Sequence, residues 1–207
     1  MLKQIILKYK ILTKEKKFYW TVDSAFFVAM TITIVPMYVK WYIFNSDKFI
    51  LFDEIMTCLM AISFIVFVII GMSKFNKYKT LKGDLNSDLE FQNDKVLIAE
   101  KEYPITSIQK IEINSFDFKG ALKGHRSFDG TLSNGVDNTL KIYLNDKTKI
   151  ELNFQQTTEN EIKNEKENLI TYCNLGKLHY LNLLEILAIS NYDEIQKFKE
   201  QNLTNFN

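Results

Sequence analysis

The sequence is poor in the residues that build reactive, cross-linked or metal-binding sites. Its 207 residues include only two cysteines and two histidines. Cys58 falls inside a long apolar run and Cys173 in the polar remainder, so we expect reduced thiols and no disulfide, as in a cytoplasmic domain. His125 and His179 are far apart and lack partners at ligand spacing. The sequence therefore predicts no zinc site and no other metal site.

Recognisable catalytic pairs are missing as well. No serine, cysteine or lysine has a general base beside it in sequence, and Glu165 and Glu167 stand among lysines on a helical pattern. We therefore predict that the protein is not an enzyme and needs no cofactor.

Arginine is nearly absent, and the cations are unevenly spread. Arg126 is the single arginine among 26 basic residues, a lysine bias that favours an AT-rich bacterial source. Residues 1–78 hold ten lysines and five acids, a net of +5. Residues 79–207 hold sixteen basic and twenty acidic residues, a net of −4. This acidic part lacks the clustered cations that nucleic acids require, so we predict no nucleic-acid partner.

Two long apolar runs dominate the first third of the chain, at residues 22–39 and 55–72. Each is close to the roughly 20 residues that a helix needs to cross a ~30 Å hydrocarbon layer. A secretory signal peptide is the alternative for the first run, but no small-residue cleavage site follows and a second run comes directly after. We predict a two-helix transmembrane hairpin over residues 18–75.

Lysines at the two ends of this hairpin predict its direction. Six lysines precede the first run, and Lys74, Lys77, Lys79 and Lys82 follow the second. The connection carries two lysines offset by three acids. Since lysine excess marks the cytoplasmic side, we predict a multi-pass inner-membrane protein with both termini in the cytoplasm.

The first residues have a basic, partly apolar pattern. Leu2, Ile5, Ile6 and Tyr9 recur at helical spacing among lysines. Residues 1–17 are therefore predicted to form an amphipathic helix in the headgroup plane, or else an extension of the first span.

From residue 79 the apolar period becomes two. Leu140, Ile142 and Leu144 alternate with polar residues, a turn follows, and Ile150, Leu152 and Phe154 alternate again, which predicts a hairpin. Six or seven strands are expected between about residues 80 and 155. Residues 79–156 thus form a β-rich domain, and residues 157–201 revert to a helical period and form helices on or next to it. The fold class is α+β.

Four of the seven glycines fall between residues 120 and 135. A glycine-rich backbone with nearby cations can hold an anion through its N–H groups, although the spacing fits no phosphate-binding motif. A plain surface loop is the alternative. The candidate ligand- or partner-binding residues in this stretch are Lys119, Lys123, His125, Arg126, Asn134 and Asn138.

Residues 96–113 resemble the core of bacterial pleckstrin-homology-like (PH-like) domains. The matching segments are Val96-Leu97-Ile98, Tyr103-Pro104-Ile105 and Ser107-Ile108-Gln109-Lys110-Ile111, with Ser107 where many members carry Asp. Many such domains are attached to a transmembrane hairpin. The resemblance implies an antiparallel β-sandwich or open barrel that binds and scaffolds at a membrane.

Two functions follow as expectations. The first is a two-pass inner-membrane protein that presents its cytoplasmic domain to a protein or membrane partner, with the lipid bilayer and a protein partner or homo-oligomer as its contacts. The alternative is a membrane effector whose β-rich domain senses a small cytoplasmic ligand, for instance a nucleotide second messenger, and triggers membrane disruption.

Overall fold

The computed structural model describes residues 7–15, 17–39, 41–42, 50–73, 76–123 and 130–202. The chain divides into two compact units. The sheet unit comprises Met1–Glu15, Leu81–Ala121 and Ser133–Asn207, and the helical unit comprises Lys16–Thr80 and Leu122–Leu132. In chain order the elements are β1 (Tyr9–Thr13), α1 (Val22–Val39), α2 (Ile50–Ser73), β2 (Asp84–Phe91), β3 (Lys95–Ile98), β4 (Lys101–Pro104), β5 (Ile108–Asn114), β6 (Lys119–Leu122), β7 (Leu132–Asn134), β8 (Asn138–Leu144), β9 (Lys149–Phe154), α3 (Lys166–Asn174), α4 (Tyr180–Leu187) and α5 (Tyr192–Asn202).

A seven-stranded antiparallel sheet forms the body of the sheet unit. Its strand order is β4-β3-β2-β1-β9-β8-β5, and β6 and β7 form a separate two-stranded sheet. Strands β2 to β4 are sequence neighbours, whereas β6 and β7 separate β5 from β8 along the chain, and β1 joins the two halves of the sheet. The prediction of an α+β fold with an antiparallel sheet and helices at the end is confirmed.

The helix predicted for the first residues is wrong where the structure describes them. Tyr9–Thr13 is a strand that pairs with β2 on one side and with β9 on the other. Tyr9 and Ile11 are buried and alternate with the exposed Lys8 and Lys10, as side chains of a strand do. Over so few residues this period of two is hard to distinguish from the helical spacing that predicted a helix. Leu2, Ile5 and Ile6 lie outside the described residues.

The predicted hairpin at the end of the sheet is confirmed. Leu140 pairs with Leu152 and Ile142 with Ile150, while Leu140, Ile142 and Phe154 are fully buried. Between residues 80 and 155 the part of the chain that the structure describes has eight strands, one or two more than the prediction: six in the large sheet and two in the separate β6–β7 pair. The seventh strand of the large sheet is β1, from before the apolar runs.

Three helices follow the strands and complete the core, as predicted for residues 157–201. They begin after a 3-10 turn at Glu161–Glu165. Leu169, Tyr172 and Leu183 are fully buried in the same cluster as the inward residues of the sheet. Gly176 has a φ of +68° after the end of α3, and the Asn191 side chain accepts a hydrogen bond from the Asp193 N–H at 3.0 Å at the start of α5.

The helical unit contains α1 and α2, whose apolar side chains face outward. Phe26 of α1 and Phe67 of α2 have ring centroids 4.5 Å apart, so the start of α1 packs against the later part of α2. By length and composition one described helix, α1, is suited to cross a membrane, and only 6% of it is buried. Within α2 the described apolar stretch is shorter, Glu54–Ile69.

Candidate functional site

The glycine-rich stretch holds the residues that the sequence singled out, and the structure gives them different environments. Lys119 is exposed at the start of β6, and its N–H donates to the Gln156 carbonyl at 2.9 Å. Asn134 is half-buried, and its carbonyl accepts from Gln155 Nε2 at 2.7 Å. Lys123 belongs to the helical unit, where its N–H donates to the Thr131 carbonyl at 2.9 Å. His125 and Arg126 lie outside the described residues.

Asn138 is fully buried at the centre of a polar network. Its Oδ1 accepts from the Asp117 N–H at 2.8 Å, and its Nδ2 lies within 2.9 Å of both the Asp117 and the Gly135 carbonyls. Gln156 Nε2 adds contacts to Asn138 Oδ1 at 3.2 Å and to the Asp117 carbonyl at 3.0 Å. These partners occupy the amide, so the structure assigns Asn138 a framework role.

Two further polar side chains complete this network. The Ser133 hydroxyl donates to Asp117 Oδ2 at 2.6 Å and accepts from the Gly135 N–H at 3.0 Å, and the Asp137 N–H donates to the same carboxylate oxygen. Asp117, Ser133 and Gln156 are each almost completely buried. A buried polar group is costly unless it is hydrogen-bonded. This network therefore holds the backbone in place just before β6 and just after β7.

Backbone packing explains part of the glycine enrichment. Gly135 has a φ of +74°, and a Cβ there would lie 2.2 Å from the Gln156 carbonyl oxygen and 2.5 Å from the Lys119 nitrogen. A side chain at this position would break the network. The glycine-rich stretch predicts a possible anion-binding site. At residue 135 the structure shows instead that the glycine allows two backbone segments to pack closely.

A groove in the sheet unit runs between the edge strand β5, the neighbouring β8 and helix α4. Its volume is about 390 Å³. Its charged lining residues come from four elements, β5, β8, β9 and α4, and Phe116 on its border is 65% exposed. The charged and aromatic lining residues are Lys110, Glu112, Phe116, Lys141, Glu151, His179 and Glu185.

One asparagine closes the strand edge at the base of this groove. Asn182 of α4 accepts from the Ile113 N–H through Oδ1 at 3.0 Å and donates to the Ile113 carbonyl through Nδ2 at 2.7 Å. Two residues earlier in β5, the Ile111 N–H donates to the Lys177 carbonyl at 2.7 Å. The side chain thus makes the two bonds that a neighbouring strand would make, which protects this edge from pairing with another chain.

Ion pairs line the outer face of the sheet beside the groove. Lys110 lies 2.6 Å from Glu112, and Lys149 lies 2.6 Å from Glu151. The hydrogen bond from Lys110 lowers the pKa of Glu112, and the one from Lys149 lowers the pKa of Glu151. The Lys110 and Lys149 ammonium groups also lie over the Tyr143 ring at 6.0 and 5.9 Å. Opposite charges therefore alternate across this face.

Two residues with reactive side chains in the sheet unit, His179 and Cys173, are hydrogen-bonded or buried. His179 begins α4, and its Nδ1 accepts from the Leu181 N–H at 3.2 Å, which leaves the proton on Nε2 in the neutral ring. Cys173 is buried, and burial raises the pKa of its thiol. Among the residues that the structure describes, no three His, Cys, Asp or Glu side chains are grouped as metal ligands.

A second hollow, of about 620 Å³, lies on the other half of the sheet. It is lined mainly by polar and acidic residues of β2 and of the turn after β3. Lys8 lies 2.7 Å from Glu90 across it. This surface is solvated and wide, with little apolar lining to hold a ligand.

Comparison of the chain with protein-family models, with curated proteins and with solved structures found no match.

Proposed function

We propose that this chain is a two-pass inner-membrane protein that presents a PH-like domain, the sheet unit, to a protein partner on the cytoplasmic side. The observation that carries the proposal is the insertion of both apolar helices between two paired strands, β1 and β2.

Exposed apolar side chains support a lipid environment for the helical unit. In α1, Phe27 and Ile32 are each 66% exposed, and in α2 Phe64 is 66% exposed. Soluble proteins seldom expose a contiguous apolar surface of more than a few hundred Å² without a partner for it. The other large exposed apolar residues of the two helices are Val28, Ile34, Val35, Met37, Tyr38, Ile55, Leu59, Met60, Ile62, Ile65, Val66, Val68, Ile69 and Met72.

Strand pairing constrains the number of crossings. Tyr9 pairs with Leu89 and Thr13 with Asp84, so β1 and β2 must lie on the same side of any membrane. The chain between Thr13 and Asp84 contains α1 and α2. If α1 crosses the bilayer, the chain has to cross again before Asp84, and we assign this second crossing to α2, whose described apolar stretch is Glu54–Ile69.

The lengths of the helices suit this role. At 1.5 Å per residue, the 18 residues of α1 extend about 27 Å and the 24 residues of α2 about 36 Å, against a hydrocarbon layer of about 30 Å. The lysine-rich flanks on the strand side of both helices favour the cytoplasm for the sheet unit.

The strand arrangement supports a PH-like domain. The two halves of the antiparallel sheet meet at β1, and helices follow the last strand. Pro104 ends β4, a 3-10 turn covers Ile105–Ser107, and Ile108 opens β5, which agrees with the segments that carry the resemblance.

Binding at the groove between β5, β8 and α4 suits such a domain. The groove joins an exposed aromatic ring, Phe116, to charges of both signs, as protein interfaces do. Photo-crosslinking in intact membranes tests this role. A photoreactive phenylalanine at position 116 should give one discrete adduct, whereas the same group at Leu175, another exposed apolar position, should give none.

The membrane assignment has its own test. After carbonate extraction the full-length chain should stay in the pellet, and a reporter fused after Asn207 should be active only in the cytoplasm. A chain released by carbonate, or a reporter active on the outer side, would overturn the proposal.

A further inference from the structure

We propose that the membrane-proximal end of the helical unit binds the headgroups of anionic phospholipids. The binding surface, called the headgroup patch here, consists of Lys77, Tyr78, Lys79, Leu122 and Lys123. This inference rests on the proposed membrane insertion of α1 and α2 and adds a defined lipid contact outside the two helices.

Backbone pairing assembles the headgroup patch from two distant parts of the sequence. Tyr78 forms a parallel β-bridge with Leu132. The Lys79 N–H donates to the Leu132 carbonyl at 2.8 Å, and the Leu132 N–H donates to the Lys77 carbonyl at 3.0 Å. A Cβ at Gly130 would lie 2.2 Å from the Lys77 carbonyl oxygen, so the two segments approach as closely as a glycine permits.

A further backbone hydrogen bond brings Leu122 and Lys123 next to the bridge between Tyr78 and Leu132. The Lys123 N–H donates to the Thr131 carbonyl at 2.9 Å, directly beside the bridge to Tyr78. Leu122, the last residue of β6, therefore lies near the segment that follows α2, and it is 80% exposed. Tyr78 is 48% exposed.

The chain length after α2 keeps the headgroup patch close to the bilayer. Lys77 follows the last residue of α2, Ser73, by four positions, and an extended chain covers at most about 3.6 Å per residue. Lys77 is thus within about 14 Å of the helix end, and Lys79 within about 22 Å. On the other strand-side flank, just before α1, Phe18 and Trp20 are 74% and 65% exposed and their rings meet edge to face. Aromatic residues are typical of this depth.

Charge and apolar exposure match an anionic interface. The described residues 76–80, 122–123 and 130–132 include three lysines and no carboxylate. Each cation near an anionic leaflet raises the surface affinity by about fivefold, and an exposed leucine and tyrosine can enter the headgroup region. Because the patch follows a helix that we propose to cross the bilayer, the occupant that we assign to it is a lipid headgroup.

Fluorescence in nanodiscs tests the headgroup patch in the full-length chain. The variant Leu122→Cys, in a Cys58→Ala background where Cys173 stays buried, is labelled with an environment-sensitive dye. Discs of phosphatidylcholine are compared with discs in which one-third of the lipid is phosphatidylglycerol. The dye should shift to the blue in the anionic discs, and added salt should reverse the shift.

Charge removal provides the control. Lys77→Gln, Lys79→Gln and Lys123→Gln together should lower the ratio of membrane-inserted to water-exposed dye by at least tenfold. The matched change of Lys163, Lys177 and Lys197 to Gln in the sheet unit should leave it unchanged. A dye that stays water-exposed in both discs, or an equal loss in the matched variant, would overturn the inference.

Carbonate extraction of cell membranes that contain the same variants separates the two proposals. A chain that resists carbonate but keeps a water-exposed dye would refute the headgroup patch alone. A chain that carbonate extracts would refute the membrane anchor, and the patch with it.

Discussion

The sheet unit and the helical unit use apolar residues in opposite ways. In the sheet unit, side chains such as Leu89, Ile142 and Phe154 are fully buried between the sheet and the helices that follow it. In the helical unit, Phe27, Ile62 and Phe64 are more than half exposed. The first pattern is that of a domain with its own core, and the second is the exposed apolar surface that supports the proposed lipid environment. The same residue types therefore indicate different surroundings.

One short strand links these two patterns along the chain. β1 precedes the apolar helices in sequence, yet it pairs with β2 and β9, which follow them. The helices are thus an insertion within a strand pair, and this connectivity carries the proposal of two membrane crossings. The predictions below test the contrast between the units, from the largest expected effect to the smallest.

Phe154→Asp should unfold the sheet unit. Phe154 is fully buried and contacts Tyr9 edge to face, with ring centroids 5.7 Å apart, so an aspartate there would bury an unpaired charge. We expect a loss of more than about 4 kcal/mol, seen as the absence of a cooperative thermal transition by circular dichroism. Phe154→Leu should keep the transition. A cooperative melt of Phe154→Asp at the wild-type temperature would contradict the assigned core.

Ile62→Asp should weaken membrane insertion and leave the sheet unit intact. Ile62 is 57% exposed near the middle of α2. An acidic residue at the centre of a spanning helix costs about 3 kcal/mol, whereas on a water-exposed helix it would cost almost nothing. The fraction of chain that resists carbonate extraction should fall, and Ile62→Leu should behave as wild type. Unchanged resistance for the aspartate variant would mean that α2 does not contact lipid.

Asn138→Ala should destabilise the sheet unit by about 2–3 kcal/mol, because it leaves the Asp117 N–H and the Gly135 carbonyl without their buried partner. Urea unfolding in detergent measures the change. Asn114→Ala, at an exposed position of β5, serves as the matched control and should change stability by less than about 0.5 kcal/mol. Equal effects of the two variants would argue against the framework role of Asn138.

Stability should fall as the pH rises because of Glu165. Burial raises the pKa of this carboxyl above its ordinary value of 4.5, although Asn168 Nδ2 donates to it at 2.6 Å. The folded state then binds the proton more tightly than the unfolded state. The stabilisation is complete below pH 4.5 and is lost as the pH rises through the raised pKa. Glu165→Gln should flatten this part of the stability–pH curve, and an identical slope in the variant would exclude Glu165 as its source.

Lys149→Ala should have the smallest effect. Its ion pair with Glu151 is short, but both side chains are more than 40% exposed. Solvent-exposed pairs contribute about 0–1 kcal/mol, so we expect a change of less than about 0.5 kcal/mol in urea unfolding. A loss above about 1.5 kcal/mol would mean that the charged face of the sheet contributes to the core stability of this unit.

Periodicity predicted the strands whose apolar residues alternate over a long run. The β8–β9 hairpin is confirmed because Leu140 to Phe154 carries the pattern and the intervening turn carries its polar residues. The sequence did not predict the β3–β4 hairpin, because its turn residues Ala99 and Glu100 adopt positive φ without a glycine or asparagine to indicate a turn. β1 was read as helix because five residues are too few to distinguish the two periods, and its partners lie far away in sequence.

The candidate site was predictable only in part. Glycines and polar residues marked the β6–β7 region, but sequence could not tell a side chain that faces solvent, as Lys119 does, from one locked in the core, as Asn138 is. The groove at β5 was missed altogether, because Phe116, Lys141 and His179 come from three separate segments. Only the pairing of β5 with β8 and the packing of α4 bring them together.

Cysteine accessibility in cells tests the insertion of the helices between β1 and β2 most directly. Single cysteines at Lys10 in β1, at Glu102 in β4 and at Asp47 between the two helices are treated with a membrane-impermeant maleimide, before and after the inner membrane is permeabilised. We expect the cysteine at position 47 to react in intact spheroplasts, and those at positions 10 and 102 to react only after permeabilisation. Reaction of 10 and 102 from opposite sides, or protection of 47 in spheroplasts, would contradict the proposed insertion.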